Sequence, residues 1–102
     1  MTEQQIAQPT EKEEKHYIVT IRTPAGIPHQ FHVNSREHVG VVTQHAVEYF
    51  VAHHQLDPGS YGLAVIRDGR AIEMIDSARL EDYDVDNGDV LALVAKAPQV
   101  DG

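Results

Sequence analysis

The chain has 102 residues, of which 41% are hydrophobic. This length and composition fit one small domain with a single modest core, so an enzyme with a deep cleft is not expected. Sixteen acidic residues against eight Lys and Arg give a net charge of −8, which disfavours nucleic acid and anionic membranes as partners. Other proteins are therefore the predicted partners.

The absence of cysteine excludes a disulfide scaffold, a thiol nucleophile and a cysteine-based zinc site. No apolar run approaches the roughly 20 residues that span a membrane, and the start of the chain lacks the apolar segment of a signal peptide. A cytoplasmic location is predicted. The seven histidines show no HExxH spacing and no Ser, His and Asp set is evident, so we predict no metal, no cofactor and no catalytic residue.

Residues 1–15 are polar and charged, and we expect them to form a disordered leader because they offer little apolar surface to bury. From His16, "HYIVTIRT" alternates with Val19 and Ile21 on one face, which predicts a strand. "PAGIP" follows, and Gly26 can adopt positive φ there. The alternating "HQFHVN" then completes a predicted hairpin.

After the hairpin the apolar period changes from two to about 3.6 residues, which predicts a helix from about Glu37 to His54. Asn34 and Ser35 are both plausible N-caps. "DPG" ends the helix. The residues predicted to form its apolar stripe are Val39, Val42, Ala46, Tyr49, Phe50 and His53.

The second half of the chain reads as further strands. "YGLAVIRDGRAI" contains the tight turn "RDGR", which predicts a third strand and a short fourth strand near Ala71 to Glu73. "LEDYDVDNGD" carries two turn clusters, and "VLALV" closes the core. This order is α+β, and one helix covers only one face of a sheet. With the first and last strands parallel and adjacent, the expected fold is a β-grasp: a mixed sheet with one helix packed on one face.

Residues 16–94 resemble the ubiquitin family. The resemblance is carried by "LEDYDVDNGDVLALV", by Leu56-Asp57-Pro58 after the helix and by "AVIRDGRAI" with its glycine turn. It implies a ubiquitin-like domain over 16–96 and a flexible tail over 97–102. The chain departs from the family in a longer helix, a slightly longer segment between Ile72 and Leu80, and a tail without the family's arginines or double glycine.

Tyr83 lies within the best-matching segment. A phenol there can fill the interior of a loop while its hydroxyl bonds a backbone group that would otherwise be unpaired. We therefore predict a structural role for Tyr83.

The resemblance also implies a docking patch. It turns Leu91 and Leu93 inward, so that Ala92 and Val94 point outward on the same side as Ile66. An exposed apolar group of this kind is a site where protein partners of ubiquitin dock. The alternative is that these are scattered surface apolar residues, which are normal in proteins. The patch also depends on strand register, since a one-residue slip would reverse every assignment.

The tail is the expected reactive end. In the resemblance Gly102 is the conjugation residue, preceded by Val100 and Asp101, and Pro98 discourages further strand pairing. Asp101 stands where the family has glycine, and a carboxylate in a narrow enzyme channel is costly unless a basic group meets it. Either the cognate enzymes carry that group, or the chain is never activated.

The chain's lysines mark where self-linked chains could form, if they form. They are Lys12, Lys15 and Lys96, two in the predicted leader and one at the root of the tail. The alternative is that an acidic domain simply favours arginine.

The function implied by the resemblance is that of a ubiquitin-like modifier, similar to bacterial ones encoded beside their enzymes and linked with antiviral defence. Its partners would be an E1-like activating enzyme, an E2-like conjugating enzyme, a deconjugating peptidase and target proteins. One alternative is a non-covalent β-grasp adaptor that uses the same face or a sheet edge. Another is a sulfur carrier, although such carriers end in two glycines.

Overall fold

The computed structural model describes residues 14–96. These residues form five strands, one α-helix and one short 3-10 helix. The strands are β1 (His16–Arg22), β2 (Pro28–Asn34), β3 (Tyr61–Arg67), β4 (Arg70–Met74) and β5 (Val90–Ala95); the helix α1 is Val39–Ala52, and the 3-10 helix is Leu80–Tyr83.

The five strands form one mixed sheet in the order β2-β1-β5-β3-β4. The first and last strands run parallel at its centre, with Ile21 opposite Leu91, and the remaining neighbours are antiparallel. Parallel neighbours need a long crossover, and α1 lies in the connection between them. The predicted α+β, β-grasp architecture is confirmed.

Turn residues with positive φ fix the hairpins. Gly26 between β1 and β2 has φ +94°, as predicted from "PAGIP". Asp68 and Gly69 between β3 and β4 have φ values of +51° and +78°, the two successive positive values of a type I′ turn. The "RDGR" signal therefore marks the hairpin correctly, and β4 extends one residue beyond each end of its predicted range.

The core lies between α1 and one face of the sheet, which we call the inner face. Side chains alternate along each strand, so the inner face receives every second residue. The strand residues that are fully or almost fully buried there are Val19, Ile21, Leu63, Val65, Leu91 and Leu93. The helix contributes Val39, Val42, Ala46 and Phe50. The opposite side of the sheet is not covered by α1, and we call it the open face.

The predicted start and N-caps of the helix are wrong. The helix begins at Val39 with His38 as its N-cap, and it ends at Ala52, two residues before the predicted limit. The side chains of Asn34 and Ser35 instead bond backbone groups outside the helix. The Asn34 Oδ1 accepts from the Arg36 N–H, and the Ser35 hydroxyl accepts from the Lys15 N–H. The first bond lies within the turn, and the second joins the turn to the residue before β1, so both side chains bond backbone groups outside α1.

The predicted apolar stripe of the helix wrongly includes His53 and omits the buried Thr43. His53 is exposed at the C-cap, where its ring stacks on half-buried Tyr49 with 4.0 Å between ring centroids. Thr43 is buried although it is polar, and its hydroxyl donates to the Val39 carbonyl at 2.8 Å. That internal hydrogen bond lets a polar residue face the core.

The segment between β4 and β5 is tied together by Tyr83. The Ile75 N–H donates to the Tyr83 hydroxyl at 3.0 Å, which confirms the predicted structural role of this phenol. The 3-10 helix ends at Asp84, whose φ of +55° turns the chain toward Val85. Sequence patterning missed the 3-10 helix because four residues are too few to show a period.

Within residues 14–96, no helix has the length and apolar character that a membrane crossing requires.

Candidate functional site

The register between β3 and β5 determines which residues reach the open face. Leu63 pairs with Leu93 on the inner face, and Ala64 pairs with Ala92 on the open face. Because successive side chains alternate, Ile66 and Val94 project to the same side as Ala92. We call Ile66, Ala92 and Val94 the docking patch; each is half-buried.

The floor of the open face is built from small residues. Gly62 lies opposite Val94, and Ala64 lies opposite Ala92. Gly62 and Ala64 are both buried, with Ala64 only 1% exposed. Since neither residue carries more than a methyl group, Ile66 and Val94 stand above a shallow surface. A shallow apolar surface suits the apolar side chains of another protein.

Charged residues border this surface. Arg22 of β1 lies opposite Ala92, and Glu73 of β4 lies opposite Ala64; both are exposed. A Cβ added to Gly62 would lie 3.2 Å from the Lys96 Cε and 3.3 Å from the Glu73 Oε2. Lys96 and Glu73 therefore reach over this end of the floor. An apolar centre with a polar rim is the usual anatomy of a protein interface.

Two of the predicted linkage lysines, Lys15 and Lys96, lie within the described residues. Lys96 is exposed just beyond β5, and its ammonium group lies 3.2 Å from an Asp76 carboxylate oxygen. Lys15 is exposed just before β1, where its backbone carbonyl accepts from the Ser35 N–H at 2.8 Å. Lys12 lies outside the described residues.

The tail residues Val100, Asp101 and Gly102 also lie outside the described residues. The last part of the chain that the structure describes is anchored, because the Lys96 N–H donates to the Ser60 carbonyl at 3.0 Å. Val94 of the docking patch lies on β5, two residues before Lys96, which follows the strand. The patch and the root of the tail are therefore neighbours along β5.

The sequence analysis missed a second feature, a cavity beside Tyr17. It lies at the end of the central strands opposite to Lys96 and the root of the tail. Tyr17 lies on the inner face of β1, opposite Val33 of β2. The cavity exists because of the way the segment 80–86 packs against β1. The spacing of apolar residues in the sequence does not predict that packing. Within residues 14–96, no group of three or more histidine or acidic side chains is arranged to hold a metal ion.

The parallel central pair, the crossover helix on one face and the open β3/β5 face define a ubiquitin-like β-grasp protein. The chain is similar to a ubiquitin of Caldiarchaeum subterraneum, with a TM-score of 0.58 and 26% identity over 82% of this chain and 98% of the other. It is also similar to a protein designed de novo on the basis of ubiquitin, with a TM-score of 0.58 and 22% identity over 85% and 96% of the two chains.

No protein-family model and no curated protein matches the chain. The assignment of a ubiquitin-like fold therefore rests on the strand order and on the similar solved structures. It is consistent with a protein that is not itself an enzyme.

Proposed function

We propose that the chain is a protein modifier whose Gly102 carboxylate is activated and then joined to an amine of a target protein. An E1-like enzyme would adenylate the carboxylate with ATP, releasing pyrophosphate, and a thiol would then displace AMP to give a thioester. An E2-like enzyme carries the thioester, and attack by a target lysine forms the amide and releases the thiol. A deconjugating peptidase would hydrolyse that amide. The chain supplies the carboxylate and the docking surface.

The observation that carries the proposal is that the docking patch, formed by β3 and β5, includes Val94 near the end of β5. Val94 is followed within two residues by the anchored Lys96, and the tail continues from there. An enzyme bound to Ile66 and Val94 would have its reactive cysteine within reach of a short extended segment, since each extended residue spans about 3.3 Å. The six residues 97–102 suit this geometry.

Asp101 adds a requirement to the proposal. A carboxylate beside the reactive glycine must be met by a basic side chain in the enzyme channel, because desolvating an unpaired charge is costly. The enzymes that use this chain should therefore carry an Arg or Lys that enzymes for a glycine-glycine tail do not need. A cytoplasmic role in the antiviral defence of a bacterium that encodes such enzymes completes the proposal.

The test is made in the cells from which the gene comes, with an N-terminal tag on the chain. Denaturing gels should show a ladder of high-mass conjugates for the unaltered chain and none after deletion of Gly102. Ile66→Asp should weaken the ladder about tenfold or more, because it places a charge at the centre of an apolar interface. Val41→Asp is the matched control: Val41 is exposed on α1, on the other side of the sheet.

A ladder that persists without Gly102 contradicts the proposal. If no ladder forms, but a partner is retained by the unaltered chain and lost with Ile66→Asp, the non-covalent adaptor is the better account.

A further inference from the structure

Four residues form one row across the open face of the sheet. The strand register places Arg22 on one side of Ala92 and Ala64 on the other side. Ala64 in turn lies opposite Glu73. The row therefore runs from a positive charge, over two methyl groups, to a negative charge. The two ends lie about 14 Å apart, because neighbouring strands are spaced by about 4.8 Å.

The two charges at the ends of this row are exposed, and within residues 14–96 neither Arg22 nor Glu73 takes part in an ion pair. Arg67 and Arg79, in contrast, each lie beside a carboxylate of the same chain. Both ends of the row are therefore open to charged groups of another molecule.

Larger apolar side chains flank the row. Ile66 and Val90 stand beside one another on the open face, because the register that pairs Val65 with Leu91 continues to them. Both are half-buried, and they lie one row along the strands from the two alanines. A molecule that covers this face therefore has to offer apolar surface between an acidic group and a basic group.

A second copy of this chain carries such groups in the required places. When two open faces are stacked about a two-fold axis that runs along the strands, Arg22 of each copy lies over Glu73 of the other. The same rotation places the alanines of the two rows over one another, and Ile66 over Val90. An axis that runs across the strands would stack Arg22 on Arg22 and Glu73 on Glu73, which is repulsive. Charge thus selects the first arrangement.

We propose that the chain self-associates face to face through this row, with two reciprocal ion pairs between Arg22 and Glu73 around an apolar centre. The second copy covers Ile66 and Ala92, so it would compete with an enzyme that docks there. That consequence rests on the proposed function, whereas the association itself does not.

The test uses the purified full chain at about 0.15 M salt, where repulsion between distant charges of the two acidic molecules is screened. It needs no conjugating enzyme. Sedimentation equilibrium between about 10 μM and 1 mM should show a monomer in equilibrium with a dimer. In the ¹⁵N-labelled chain, the amide signals of β3 and β5 should shift as the concentration rises, and those of the exposed residues of α1 should not.

Charge reversal at either end of the row tests the pairing. Arg22→Glu and Glu73→Arg should each weaken dimerisation about tenfold or more, since like charges then face one another. Mixed in equal amounts, the two variants should form a heterodimer as readily as the unaltered chain dimerises, because each charge again meets its opposite. Arg70→Glu is the matched control: Arg70 is exposed outside the row, and its reversal gives the same net charge as Arg22→Glu.

The proposal is overturned if the chain stays monomeric up to about 1 mM, if neither reversal weakens dimerisation, or if the mixture does not restore it. It is also overturned if Arg70→Glu weakens dimerisation as much as Arg22→Glu, because net charge would then control the association. A dispersed amide spectrum shows that each variant is folded. None of these outcomes bears on the conjugate ladder, so a failure here is distinct from a failure of the proposed function.

Discussion

At the scale of single residues, the sequence predicts which face of a strand a side chain points to better than it predicts what surrounds that side chain. Alternation along β1 predicts that Val19 and Ile21 face the core, and Tyr17 shares their parity and is buried with them. What alternation cannot show is that Tyr17 lines a cavity formed with a segment more than sixty residues further along the chain, or that its hydroxyl is buried without a hydrogen-bond partner among residues 14–96. The acidity of that segment is visible in the sequence, but its proximity to Tyr17 is a product of folding.

Tyr17 should make the stability of the fold depend on alkaline pH. The pKa of Tyr17 is about 12 in the folded chain, against an ordinary value of 10.0, and burial is the main cause. Its stabilising contribution is therefore fully present below pH 10 and is lost as the pH rises toward 12, because only the unfolded chain releases this proton. By about pH 11 the loss should be about 1 kcal/mol.

Urea denaturation of the unaltered chain and of Tyr17→Phe, at about pH 8 and about pH 11, measures this contribution. The free energy of unfolding of the variant should fall less between the two values, since the other titrating groups are common to both chains. An identical fall in both chains would show that the pKa of Tyr17 is not raised.

At the scale of elements, strands and turns follow from local signals, whereas the loop before β5 is held by distant contacts. Arg67 at the end of β3 donates to the carbonyls of Tyr83 and Asp84 at 3.2 and 3.0 Å. Its guanidinium also lies 3.2 Å from an Asp89 carboxylate oxygen. One planar group thus fastens β3 to both ends of the segment 83–89, a role that only the folded chain makes visible.

Replacing Arg67 should loosen this fastening. Arg67→Met should lower the free energy of unfolding by about 1–2 kcal/mol, because two hydrogen bonds to carbonyls and a partly buried ion pair are lost. Arg67→Lys should recover only part of this, since an ammonium cannot reproduce the fork of the guanidinium. Chemical denaturation measures both, with exposed Arg70→Met as the matched control. An equal loss at Arg70 would mean that Arg67 has no special role.

The errors in the helix belong to this scale as well. Asn34 and Ser35 are residue types that favour N-caps, but the Asn34 side chain bonds the turn before α1, and the Ser35 side chain bonds the Lys15 N–H just before β1. The helix itself starts at Val39. Composition identifies residues that bond backbone groups, and it does not say which backbone group each will bond.

At the scale of the whole molecule, one helix on a five-stranded sheet leaves an open face, and β5 joins that face to the tail. The hairpins and the single helix each have a local signal in the sequence, whereas the parallel pairing of the first and last strands was an assumption of the expected β-grasp, which the strand order bears out. The placement of Ile66, Ala92 and Val94 follows from strand register, which pairs Ala64 with Ala92. Their role as a docking patch, and the role of Gly102, remain proposals about function.

The central claim is that Gly102 becomes joined to lysine side chains of other proteins. Trypsin cleaves after Lys96, and no further Lys or Arg follows it, so a conjugated lysine would keep the branch "APQVDG". Mass spectrometry of tryptic digests, from cells in which the chain and its activating enzyme are both present, should detect target peptides that carry this six-residue branch. Deletion of Gly102 should abolish them. If the chain is abundant, the enzyme is active and no lysine carries the branch, the claim is contradicted.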